Sequence, residues 1–69
     1  MDSLPSFELM TAKVVAEEKG NKLMHFPARK HEYFQKDAYG SVSYFGKFKN
    51  NRFARVSWRA DLRSRGVIV

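Results

Sequence analysis

The stretch Gly40-Ser41-Val42-Ser43-Tyr44-Phe45-Gly46-Lys47-Phe48-Lys49-Asn50-Asn51-Arg52-Phe53-Ala54-Arg55-Val56-Ser57-Trp58-Arg59 decides the fold. Aromatic and β-branched residues alternate with polar ones on either side of Asn50-Asn51, which predicts two strands around an Asn-rich turn. With Lys49-Asn50-Asn51 as the loop, Val42, Tyr44, Phe48, Ala54, Val56 and Trp58 share an apolar face. Ser41, Ser43, Phe45, Lys47, Phe53, Arg55 and Ser57 then form the opposite face, an aromatic and basic platform. With Asn50-Asn51 alone as the loop, Phe48 faces Phe53 instead, because a slip of one residue turns a whole strand over.

The charge of this stretch is one-sided. Lys47, Lys49, Arg52, Arg55 and Arg59 are all basic, and no acidic residue lies between Asp37 and Asp61. Cations interleaved with aromatics suit a surface that holds a phosphate backbone and stacks on bases. The whole chain carries a net charge of +6, unevenly spread. Lys13 and Lys19 against Asp2, Glu8, Glu17 and Glu18 leave residues 1–20 at −2, whereas residues 21–69 stand at +8. A molecule polarised in this way steers its basic side toward polyanions, nucleic acid foremost.

Working toward the N-terminus, Phe7 to Lys19 carries the signals of a helix. Ser6 is a fitting cap, Glu8 lies in the first turn, Lys19 in the last, and Gly20 supplies a left-handed stop. Phe7, Met10 and Val14 follow helical spacing, broadened by Leu9, Ala12 and Val15. The same residues also fit two strands, Ala12–Ala16 and Lys22–Phe26, around a turn at Lys19-Gly20-Asn21. That alternative would make the chain a small all-β barrel. Leu23–Phe26 is a short strand in either case. Pro27 suits the first position of a helix over Ala28–Ala38, and Gly40 opens the hairpin. Helices followed by a basic hairpin resemble the general layout of winged-helix modules. In that layout Ala28–Ala38 is the recognition helix and Arg29, Lys30, His31, Gln35 and Lys36 face outward.

Toward the C-terminus, Ser57 is positioned to cap a short helix from Trp58 to Arg65 that Gly66 ends. Trp58 and Leu62 share one face, Arg59 and Arg63 form a second line, and Asp61 is placed to pair with Arg65. Val67-Ile68-Val69 is β-prone and predicts an edge strand or a pairing segment for a second chain, which leaves a homodimer open.

The expected fold is therefore a single α+β domain over residues 1–69. An N-terminal helix packs on an antiparallel sheet centred on the basic 41–58 hairpin. A chain of 69 residues supports one small core and no more. It has no cysteine, which excludes disulfides and thiolate zinc sites. No apolar run reaches the roughly 20 residues of a membrane span, and Met1-Asp2-Ser3-Leu4-Pro5 lacks the pattern of a secretion signal. A cytoplasmic protein is expected, with no membrane partner. There is no cofactor, metal or nucleophile motif.

The expected function is non-enzymatic nucleic-acid binding, DNA ahead of RNA, by a small transcription regulator or accessory factor. The contact set is Lys47, Lys49, Arg52, Arg55, Arg59 and Arg63 for phosphates, Phe45 and Phe53 for stacking, and Arg29 and Lys30 for a second contact. One alternative is an interaction module or inhibitor that binds an acidic protein surface through bidentate arginines. Another is a small ribonuclease in which His31, Glu32 and Tyr33 supply acid–base groups and Arg29 steadies a phosphate.

Overall fold

A computed structural model describes residues 12–69 of the chain. Four strands form an antiparallel meander in the order β1-β2-β3-β4, and one helix follows. The strands are β1 (Lys13–Glu18), β2 (Asn21–His25), β3 (Glu32–Lys36) and β4 (Val42–Lys47), and the helix is α1 (Asn51–Ser64). The sheet is open, with β1 and β4 at its edges.

This order corrects the expected fold. The helix of the described residues is C-terminal and follows the sheet, where the expectation had a helix precede it. Residues 13–18, expected to be helical, are a strand. The Ser6 cap and residues 7–11 of the expected helix lie outside the described residues. The reason is visible at the turn: Lys19 and Gly20 both take positive φ, 51° and 81°, between the paired residues Glu18 and Asn21. A two-residue hairpin with positive φ at both central positions is a type I′ turn. The left-handed glycine that stops a helix also makes this turn, so Gly20 serves either reading. The two-strand alternative matches β1 and β2, but the sheet does not close into a barrel.

Ala28–Ala38 is not a helix either. Arg29 N–H donates to the Phe26 carbonyl at 2.9 Å and Glu32 N–H to the Arg29 carbonyl at 3.0 Å, so two successive turns lead into β3. Pro27 occupies the second position of the first turn, where its fixed φ is favoured. Between β3 and β4, Asp37 Oδ1 accepts from the Tyr39 and Ser41 amides at 2.9 and 3.0 Å, and Gly40 takes φ of 91°. The aspartate thus stands in for a backbone acceptor and sets the turn.

The largest correction falls on the opening stretch. β4 is a strand as expected, but the hairpin has no second strand: residues 51–64 are helical. Asn50 is the N-cap, its side-chain oxygen accepting from the Phe53 amide at 3.0 Å. Asn is equally at home in a tight turn and at a helix start. Over the longer window, Ala54, Trp58 and Leu62 repeat every four residues and are all fully buried, which is helical and not strand periodicity. Arginine, alanine and leucine, which make up half of the segment, are good helix formers. The expected start at Ser57 is corrected to Asn51. The expected stop holds: Gly66 has φ of 77°, its amide donates to the Arg63 carbonyl at 3.0 Å, and Val67 N–H donates to the Leu62 carbonyl at 2.9 Å. That bond pair is a Schellman motif. Val67–Val69 forms no strand; Val67 and Ile68 turn back and pack on the core instead.

α1 lies on one face of the sheet. Ala54, Trp58 and Leu62 press on Ala16, Leu23 and Tyr33, with Val15, Phe45 and Phe48 at the margin. Trp58 Nε1 donates to Gln35 Oε1 at 3.2 Å, so the buried indole loses no hydrogen bond. On the other face Met24, Phe26 and Phe34 form a second cluster with Ala12 and Val42. Val42 and Tyr44 therefore belong to the face away from Trp58, and Val56 is exposed, so the expected apolar face of the hairpin does not exist. Among the described residues, no helix is long and apolar enough to cross a membrane.

Candidate nucleic-acid interface

The helical period regroups the cations of residues 47–63. At 3.6 residues per turn, Arg52, Arg55, Arg59 and Arg63 fall within a sector of about 80° along one flank of α1. The row runs for about 16 Å at 1.5 Å per residue. Its direction is given by Arg59, whose Nε donates to Glu18 Oε2 at 2.9 Å. Glu18 ends β1, so the row faces the β1 side of the sheet. Arg52 and Arg63 are exposed, whereas Arg55 and Arg59 are half-buried. Among the described residues only Arg59 of the four pairs with an acidic side chain; Arg63 Nε donates to the Val69 main-chain oxygen at 3.3 Å. Asp61 is taken by Arg65 at 2.8 Å, the pair expected from its spacing.

The outermost line of α1 is different in kind. Phe53, Val56 and Ala60 fall within about 60° of one another on the side away from the sheet. Phe53 is 55% and Val56 62% exposed. An apolar crest thus runs beside the arginine row. The sequence hid it because strand alternation assigned Val56 to the core and left Ala60 without a role.

Other expected contacts are not gathered here. Lys49 lies in the connector just before α1 and is exposed. Lys47 is exposed but stands opposite Glu32 in register, on the face away from α1. Phe45 is half-buried and stacks on Phe48, ring centroids 5.3 Å apart, at the margin of the core. It therefore offers no stacking platform. Arg29 lies 5.8 Å above the Phe34 ring and 3.8 Å from Glu32, again on the far face. Lys30 is exposed in the β2–β3 turn, and its carbonyl accepts from His25 Nε2 at 2.9 Å. The Phe48 amide donates to the His31 carbonyl at 2.9 Å, which ties this turn to the connector before α1.

The ribonuclease set is not assembled. Glu32 and Tyr33 are successive residues of β3 and point to opposite faces. Tyr33 is buried, and its hydroxyl donates to Asn51 Oδ1. Burial pushes the Tyr33 phenol above its ordinary range, and the Arg55 cation pulls weakly the other way. His31 is exposed in the turn.

The acidic side chains are also unevenly placed along the strands. The first turn of α1 has no acidic residue, and Lys13, Lys30, Lys47, Lys49 and Arg52 cluster at that end of the sheet. Glu17, Glu18, Asp37 and Asp61 lie toward the other end, where Lys19, Lys22, Lys36 and Arg65 offset them, leaving Glu32 as the lone acidic side chain among the described residues at the basic one. The positive pole of the helix dipole points the same way as these cations, so they add where a helix start normally favours anions. Comparison with known proteins finds no family model, no curated protein and no solved structure that matches this chain.

Proposed function

We propose that this protein binds nucleic acid without catalysing a reaction, as a small cytoplasmic regulator or accessory factor, with DNA the first ligand to consider. The observation that carries this reading is the arginine row of α1. Arg52 and Arg55 have no carboxylate partner among the described residues, Arg63 keeps most of its guanidinium free beyond the Nε bond to Val69, and all three stand on one flank of an exposed helix. Lys49 extends the row past the helix start, where the dipole adds to its field. In the free protein these like charges repel. A phosphate backbone relieves that repulsion and releases counterions, so affinity falls steeply with salt. With about four phosphates neutralised, log K falls by about 3 to 4 per tenfold rise in salt.

The test is fluorescence anisotropy of labelled DNA and RNA against the full chain at two salt concentrations. Supporting outcomes are binding with that slope and its loss in the double variant Arg52→Gln, Arg63→Gln. Absence of binding at low salt rejects the reading. An acidic protein surface is the second reading, favoured by Arg59, which already holds the Glu18 carboxylate. Arg→Lys changes at positions 52, 55 and 63 separate the two. Lysine keeps the point charge that phosphate needs but loses the planar fork that pairs with carboxylates.

A further inference from the structure

Resting on the nucleic-acid reading above, we infer that the ligand is single-stranded, with its bases on the Phe53–Val56–Ala60 crest and its phosphates on the arginine row beside it. The decisive feature is the chemistry of the crest. A helix that enters the major groove of a duplex reads base edges with polar side chains on its outermost line. Here that line carries a phenyl ring, an isopropyl group and a methyl group, none of which makes a hydrogen bond. The arginines sit to one side, toward β1, where Arg59 is held by Glu18 and Arg55 is half-buried. Two of the four are thus held beside the sheet, and the exposed Arg52 and Arg63 border the crest, where a backbone running along it would lie.

A single strand needs what the crest offers. Every base has a π-face, and single-strand surfaces pair an aromatic platform with a cationic track along the backbone. Phe53 is 55% exposed, and its backbone is pinned by the bond from its amide to the Asn50 side chain at 3.0 Å. The ring is therefore presented from a fixed point at the helix start. Arg52 and Lys49, both exposed, flank it in sequence. One and two turns on, Val56 and Ala60 keep the strip flat, Ala60 leaving room for a base lying over it. From Phe53 to Ala60 the strip is about 10 Å long, enough for about three bases. The charge of the flank selects a polyanion over a neutral apolar partner for this strip.

The experiment is anisotropy with labelled oligothymidylate and a duplex of the same length, on the wild-type chain and on Phe53→Ala and Phe53→Leu. A second readout uses Phe53→Trp, whose new indole sits on the crest while Trp58 stays buried. The inference predicts tighter binding of the single strand. It also predicts a loss of about tenfold or more on the single strand for both Phe53 variants, little change on the duplex, and quenching of the crest indole by oligothymidylate. Buried Trp58 emission reports that each variant is folded. Equal or tighter duplex binding with no effect of Phe53→Ala overturns the inference and leaves the nucleic-acid reading standing. Binding of neither ligand rejects that reading itself. If the wild type sediments as a dimer that Phe53→Ala dissociates, the crest is an interface between copies and the inference is wrong.

Discussion

Asn50→Ala tests where α1 begins. In the structure Asn50 precedes the helix in an extended conformation, φ −156° and ψ 176°, and its side chain accepts the Phe53 amide at 3.0 Å. Alanine cannot make that bond, so one of the unpaired first-turn amides is left to solvent. Such changes cost about 0.5–2 kcal/mol. Asn50 is exposed, so water replaces part of the bond, and about 1 kcal/mol is the expected loss. At about 2.1 cal/mol/K per residue, a chain of 69 residues has an unfolding entropy near 145 cal/mol/K, which makes 1 kcal/mol a fall of about 7 °C in Tm. Asn50→Asp keeps the cap, and its charge suits both the dipole and the neighbouring cations, so Tm is held or raised. The assay is thermal unfolding by circular dichroism at neutral pH, with Asn50→Gly as a third arm that costs only a few tenths of a kcal/mol. If Asn50 sat in a hairpin turn, alanine would be penalised against both Asn and Gly, but aspartate would bring no gain from a dipole. A neutral Asn50→Ala, or an Asn50→Asp that destabilises, refutes a helix starting at Asn51.

Leu62→Ala removes a fully buried side chain between α1 and the sheet, at a cost of about 2–5 kcal/mol, which leaves the domain largely unfolded at 37 °C by circular dichroism. Tyr33→Phe removes a phenol whose pKa is raised by burial. Because the folded value lies above the unfolded one, that phenol's contribution is full below about pH 10 and is lost as pH rises beyond it. The variant therefore loses about 0.5–1.5 kcal/mol with the Asn51 bond at neutral pH, and its stability falls less steeply in alkali in denaturant titrations. Glu18→Gln frees Arg59 for a phosphate. Stability changes by at most about 1 kcal/mol, since both side chains are about one third exposed, and the salt dependence of nucleic-acid binding becomes steeper by about 0.7–0.9 in log–log slope.

What was legible in the chain was what does not depend on the period of the backbone. The run of cations free of acid between Asp37 and Asp61 is a matter of composition, and it survives as the basic start and arginine flank of α1. β2, β4, the Gly66 stop and the Asp61–Arg65 pair were also readable, because each has one dominant local interpretation. The errors arose where one residue type serves two structures. Gly20 in the left-handed region ends a helix or turns a hairpin. Asn50 caps a helix or occupies a turn, and Pro27 starts a helix or fills the second position of a turn. Only tertiary packing chooses: the four-residue repeat of Ala54, Trp58 and Leu62 gains a sheet face to pack on. The site followed the same rule. Strand alternation put Phe45 and Phe53 side by side, whereas the helix carries Phe53 to the crest and leaves Phe45 against Phe48.

The central claim is that the arginine row and crest of α1 form the ligand surface, and the most direct measurement is an amide-resolved NMR titration of the full chain with oligothymidylate. The account predicts that the largest shifts lie between Lys49 and Arg63, centred on Arg52, Phe53, Val56 and Arg63. The face of the sheet away from α1 would stay unperturbed, including Lys22 and Lys36, which stand directly opposite each other in register there. Shifts concentrated on Lys22, Lys36 and Tyr44 with α1 silent would contradict it.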